Sequence, residues 1–154
     1  MTIDYLAHHQ DCIPQLAKFS YDEWRSVYNE LGLTLDSAIA SYRERARTDR
    51  IPLALVAVEG ENVIGTGALK LRDLPIRSQY EPWLGGVYVV PEHRNRGVGT
   101  ALTIRLVEEA RRLGIARLYL WTPSAESLYA KLGWATIERL SYCGYQIALM
   151  QRDL

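Results

Sequence analysis

Val87-Tyr88-Val89-Val90-Pro91-Glu92-His93-Arg94-Asn95-Arg96-Gly97-Val98-Gly99-Thr100-Ala101-Leu102 reads as a strand, a basic turn and a glycine-opened helix. Apolar and aromatic residues run up to Pro91, which cannot donate to a ladder and so ends the strand. Arg94 and Arg96 bring positive charge to the turn, and Gly97 and Gly99 remove side chains where backbone amides would face an anion. The first N–H groups of a helix are unpaired and carry the positive end of its dipole, so a phosphate can settle there. The chemistry is that of a diphosphate cradle.

The spacing narrows the ligand. A dinucleotide fingerprint needs a third glycine three residues after Gly99, where Leu102 stands, and a Walker loop needs Gly-Lys-Ser/Thr, which is absent. The segment matches Arg-x-x-Gly-x-Gly at Arg94, Gly97 and Gly99, and in this it resembles the acetyl-CoA-binding motif of the GNAT superfamily of N-acetyltransferases. The resemblance implies acetyl-CoA as co-substrate. The amides of Arg96, Gly97, Val98, Gly99 and Thr100 would hold the pyrophosphate with Arg94. The strand from Val87 to Val89 would bond the pantetheine arm and set an N–H near the thioester carbonyl.

The 154 residues fit one domain, 1–154, and 48% hydrophobic content is enough for a core. Formal net charge is zero, which argues against a nucleic-acid binder. Cys12 and Cys143 are too few for a disulfide framework and have no metal spacing, so two reduced thiols and no metal are expected. Asp4, two histidines and Asp11 exclude a signal-peptide core near the N-terminus, and the apolar run Leu53–Val58 is far shorter than a membrane span. A cytoplasmic location is the expectation.

The pattern predicts a first strand near Thr2–Leu6, a helix over about 12–31, a second over 35–46, and a hairpin of strands from Pro52 and from Val63 around Glu59-Gly60-Glu61-Asn62. Gly65 and Gly67 either weaken the second arm or mark close contacts. Residues 72–82, with Pro75 and Pro82, form a loop before the strand Trp83–Val90. The helix from Gly97 to Leu113 carries an inward stripe of Leu102, Leu106, Ala110 and Leu113, and Gly114 closes it. Ala116–Trp121 is a central strand parallel to its predecessor. Thr122-Pro123 opens a short helix stopped by Gly133, and two strands follow. The order is β-α-α-β-β-β-α-β-α-β-β, a mixed α/β sheet. The likeness to the GNAT fold covers essentially the whole chain and is tightest from Val87 to Trp134.

Thr122–Trp134 is the second informative stretch. Ala125, Leu128, Tyr129 and Leu132 share a helix face, so from spacing alone Tyr129 is a core aromatic. The resemblance implies more: Ala125, Leu128, Tyr129, Gly133 and Trp134 match a GNAT pattern whose tyrosine acts as general acid toward the departing CoA thiolate. A phenol's ordinary pKa lies above a thiol's, so it holds its proton where the thiolate forms. Many members carry an asparagine seven residues before the tyrosine. Thr122 stands there, and it can cap the helix as well but lacks the amide.

Acetyl transfer to an amine also needs the amine to lose a proton. Glu81, just before the central strand, is one candidate base and Asp73 the alternative; each reads equally as a solvated loop residue, and an amine bound already neutral needs neither. His93 sits in the phosphate turn and suits a positioning role there. By resemblance the acceptor lies among Tyr21, Trp24 and Tyr28, then Tyr80, Glu81 and Trp83, then Tyr142 and Tyr145. Rings with a carboxylate suit a cationic amine, although any of these aromatics can instead serve the core or a homodimer contact. The expected activity is transfer of acetyl to a primary amine in a ternary complex, with a small molecule favoured over a peptide or protein N-terminus. A non-catalytic acetyl-CoA-binding sensor is the competing reading.

Overall fold

The computed structural model describes residues 1–154. Seven strands form one mixed sheet in the order β1-β2-β3-β4-β5-β7-β6. They are β1 Thr2–Tyr5, β2 Leu53–Glu59, β3 Asn62–Lys70, β4 Trp83–Val89, β5 Arg117–Thr122, β6 Ala135–Tyr142 and β7 Tyr145–Asp153. Five helices connect them: α1 Ile13–Glu23, α2 Arg25–Glu30, α3 Leu35–Glu44, α4 Val98–Arg112 and α5 Glu126–Lys131. Every neighbouring pair is antiparallel except β4 and β5. β5 is central and parallel to β4, as its uncharged run implies.

Side-chain alternation along β2 assigns the two faces of the sheet. Leu53, Leu55 and Ala57 join a core with Val98, Leu102, Leu106 and Ala110 of α4. Ala54 and Val56 join a second core with Leu16 and Ala17 of α1 and Ala38 and Tyr42 of α3. β2 is therefore buried on both faces and reads as a continuous apolar run. The glycines of β3 mark close contacts. A Cβ at Gly67 would stand 2.8 Å from Leu106 Cδ1, and one at Gly65 3.0 Å from the Tyr88 carbonyl and 3.2 Å from Leu102 Cδ1. They let α4 lie directly on the sheet, and this seats its N-terminus at the end of β4.

Two helices differ from the sequence expectation. The helix expected over 12–31 is broken at Trp24 (φ −110°, ψ 32°), which separates α1 from α2. No residue of α2 is buried, so the break turns its backbone without uncovering core. α5 begins at Glu126 and not at Pro123. Thr122 ends β5, and its Oγ1 accepts from the backbone N–H groups of Ser124 (3.3 Å) and Ala125 (2.9 Å). The hydroxyl thus caps the turn ahead of the helix, three residues earlier than a helix N-cap would stand.

Candidate active site

The cleft begins where the sheet stops pairing. Trp83 and Tyr119 form the single registered pair between β4 and β5, with the Tyr119 N–H donating to the Pro82 carbonyl at 3.1 Å. Beyond it the strands separate. Leu84–Val87 of β4 and Leu120–Thr122 of β5 become opposite walls of a cleft of about 900 Å³. β4 therefore presents an edge without a strand partner, whose amides and carbonyls are free to bond an extended ligand.

β4 is also bulged. Thr66 faces Tyr88 and Ala68 faces Gly85, so β4 runs through three residues where β3 runs through two. Gly86 takes up the extra residue with φ +62°, a backbone that glycine adopts without penalty. The consecutive glycines Gly85-Gly86 in an otherwise apolar strand are the one sequence signal of this bulge. Val87 follows the bulge and lines the cleft.

At the far end of β4 the basic turn leads into α4. Gly97 stands before the helix with φ +81°, and no side chain caps the helix start. A Cβ on Gly97 would meet nothing within 4 Å, and one on Gly99 only Val89 Cγ2 at 3.8 Å. The ground in front of these amides is thus open, and an anion held there would have the helix dipole behind it. Arg94 is folded inward: its Nε donates to the Val89 carbonyl at 2.8 Å, and its guanidinium lies 5.5 Å from the Tyr88 ring centroid and 3.9 Å from Glu23. Arg96 is exposed and has no carboxylate partner. His93, in the same turn, points Nε2 toward Glu59 at 3.5 Å.

Tyr129 is buried and lines the same cleft as Val87 and Gly86. Trp134 meets it edge-on, with ring centroids 6.3 Å apart. Burial raises its pKa, with the Thr103 hydroxyl pulling weakly the other way. The phenol is therefore protonated throughout the neutral range. It serves as a hydrogen-bond donor to a developing thiolate and is a reluctant source of a fully transferred proton.

The two candidate carboxylates are placed differently. Asp73 lines the cleft, and its Oδ1 pairs with Lys70 Nζ at 2.6 Å. Its carbonyl receives the Trp121 indole N–H at 3.2 Å. The carboxylate lies against Gly85, where an added Cβ would stand 2.5 Å from Oδ2. Glu81 is not among the lining residues and faces Arg72 at 3.3 Å. Of the aromatics, Trp24, Tyr28, Tyr80, Tyr142 and Tyr145 reach the cleft; Tyr21 instead stacks on Arg25, 4.2 Å from ring centroid to guanidinium. Trp83 lines its floor but is 1% exposed, a core residue whose indole donates to the Tyr80 carbonyl. Trp121 is a further wall residue, edge-on to Trp24 at 5.3 Å and to Tyr142 at 5.4 Å. Arg45 and Lys70 also line the cleft, although by sequence pattern Arg45 belongs to a solvated run and Lys70 to the end of a strand.

A sheet split beside a bulge, with a helix N-terminus beyond the end of β4 and a buried tyrosine on the cleft, can hold an extended anionic ligand along the free strand edge. The sequence matches the Acetyltransferase (GNAT) family over residues 13–134, and the chain belongs to that family. No curated protein matches the sequence. Among solved structures it is similar to a ribosomal-protein-alanine N-acetyltransferase from Brucella melitensis, with 21% identity, all of both chains covered and a TM-score of 0.76. An aminoglycoside 6'-N-acetyltransferase complexed with coenzyme A matches with 17% identity over 99% of this chain and 97% of that one, TM-score 0.73. PaiA N-acetyltransferase from Thermoplasma acidophilum in complex with coenzyme A matches with 17% identity over both whole chains, TM-score 0.72. These likenesses concern the fold. No helix of the chain is long and apolar enough to cross a membrane.

Proposed function

We propose that the protein transfers an acetyl group from acetyl-CoA to a primary amine of a small molecule, by direct attack within a ternary complex. The observation that carries this reading is the separation of β4 from β5 beside Tyr129, which opens a slot bounded by free strand edge on one side and by a phenol donor on the other. Acetyl-CoA supplies the activated acetyl group as a thioester. The amides from Arg96 to Thr100 would take the pyrophosphate, and Arg94 would turn outward from the Val89 carbonyl to join them. Val87 and Val89 would bond the pantetheine arm, and an amide next to the bulge would polarise the thioester carbonyl. As the amine nitrogen bonds the acetyl carbon and the carbon–sulfur bond breaks, Tyr129 would donate a hydrogen bond to the leaving sulfur. Asp73, and not Glu81, is the carboxylate the cleft offers to attract the ammonium and receive its proton, directly or through water.

Initial-rate kinetics with acetyl-CoA and a panel of small amines test the reading. Direct transfer predicts double-reciprocal lines that intersect. Parallel lines would mean an acetyl-enzyme and would overturn it, and tight acetyl-CoA binding without turnover of any amine would return the protein to a sensor role.

A further inference from the structure

We propose that the acceptor is an amino acid, a small amine with a carboxylate a few bonds from the reacting nitrogen, and that Arg45 holds that carboxylate. This rests on the acetyl-transfer reading above and narrows its substrate.

Most of the charges that line the cleft are paired within the protein. Lys70 is paired with Asp73, Arg72 with Glu81, Arg77 with Glu138, and Glu23 stands near Arg94. Arg45 has no carboxylate within ion-pairing distance, and its guanidinium donates no hydrogen bond within the protein. It lies half-buried against the Tyr42 ring, 4.9 Å from the centroid. A guanidinium has five donors and no way to shed its charge, so leaving it unpaired in a cleft is costly unless a ligand completes it.

Its neighbours point to an anion. Arg45 Nη1 and Lys70 Cε lie 3.8 and 3.9 Å from where a Cβ on Gly86 would stand, so the two cations flank the bulge together. Burial lowers the pKa of Lys70, Asp73 opposes that, and the positive charge of Arg45 adds to the lowering. Two cations and one carboxylate leave this end of the cleft one negative charge short, the deficit a carboxylate fills and a dianionic phosphate exceeds. The guanidinium fork also matches carboxylate geometry. Nearby, the Tyr142 hydroxyl is buried without a hydrogen-bond partner on the same cleft.

Position sets the spacing within the acceptor. The bulge is where the acetyl group would be delivered, so an anion beside Gly86 lies within a few bonds of the attacking nitrogen. Asp73 would take the ammonium and Arg45 the carboxylate. A peptide N-terminus has a neutral amide where this site needs charge, which sets it apart from the proposed acceptor.

The test is turnover of the proteinogenic L-amino acids, their carboxamides, their decarboxylated amines and phosphoethanolamine, by wild type, Arg45→Gln and Arg45→Lys, with acetyl-CoA affinity measured alongside. Wild type is expected to prefer an acid over its own carboxamide by about 10- to 100-fold in kcat/KM, the worth of one charged hydrogen-bonded contact. Arg45→Gln should collapse that ratio and Arg45→Lys should restore part of it. Carboxamides, decarboxylated amines or phosphoethanolamine accepted as well as the acids would overturn the proposal, as would a ratio that Arg45→Gln leaves intact. Should Arg45→Gln fail to fold, the wild-type ratio and Arg45→Lys decide. Acetyl-CoA binding without turnover of any member would overturn the amino-acid assignment and leave the cofactor site standing; no acetyl-CoA binding would overturn the acetyl-transfer reading itself.

Discussion

Tyr129 is a buried phenol on the cleft wall, with the Thr103 hydroxyl as its polar neighbour. From the sequence it reads as core by spacing and as general acid by resemblance, and the fold lets it be both: its ring packs on Trp134 while it borders the cleft. Removing only the hydroxyl separates the roles. Tyr129→Phe should unfold at the temperature of the wild type and keep acetyl-CoA affinity, while kcat falls by about 100-fold, the low end for a lost acid–base group. Thermal melts, calorimetry and steady-state rates check the three parts, and a fully active variant would return Tyr129 to the core. Asp73 and Glu81 show how little the sequence says about a loop. The sequence offers Glu81 first and Asp73 as the alternative, and the fold sets Asp73 in the cleft against Gly85 and leaves Glu81 outside with Arg72. Arg45 sits in a run of charges at the end of a helix, where solvation is the ordinary fate of an arginine, and so reads from the sequence as solvated; the fold half-buries it on the cleft.

α4 carries both the cradle and much of the core, so its attachment to the sheet matters to the site. Glu109 is the polar fastening. Its side chain is 5% exposed, and it accepts from the Tyr5 hydroxyl of β1 at 2.8 Å, from Arg105 at 2.9 Å and from Arg112 at 2.8 Å. Burial alone would raise its pKa, but the bonds from Tyr5, Arg112 and Arg105 outweigh it and hold the carboxyl below its ordinary 4.5. A carboxyl with a depressed folded pKa contributes stability that is complete above its unfolded value and is lost as pH falls through the folded one. Glu109→Gln should cost about 2 kcal/mol at pH 7, since the two half-exposed arginines can rehydrate. Urea unfolding of both proteins should show that difference steady down to about pH 5 and shrinking on further acidification below the ordinary carboxylate value. A difference that grows with acid would contradict the account. The sequence spacing predicts i,i+4 ion pairs Arg105–Glu109 and Glu108–Arg112 along this helix; the first forms, and Arg112 pairs with Glu109 instead. It did not give Tyr5, because a contact across 104 residues leaves no local trace. Strongly periodic elements such as α4, and the doubly buried β2, were legible. The break at Trp24 and the late start of α5 were not, because they depend on what the turn backbone bonds to.

Across the whole molecule, the proposed function rests on one failure of pairing. A sheet of seven strands would ordinarily close every internal ladder. Here β4 and β5 share a single pair, and beyond it they diverge into the cleft that Val87 and Tyr129 both line. The order of elements made this fold readable from the sequence, since a strand, a glycine-rich turn and a helix followed by a parallel strand have few other arrangements. The splay itself was not readable, being a property of two strands that each look ordinary. Calorimetric titration of acetyl-CoA into the wild type and into Gly99→Arg, with NAD and ATP as controls, tests the central claim most directly. A Cβ at Gly99 would meet only Val89, at ordinary contact distance, so the variant should fold as well as the wild type. The account predicts saturable binding of acetyl-CoA alone to the wild type and none to Gly99→Arg. Equal affinity in both proteins, or no binding to the wild type, would contradict it.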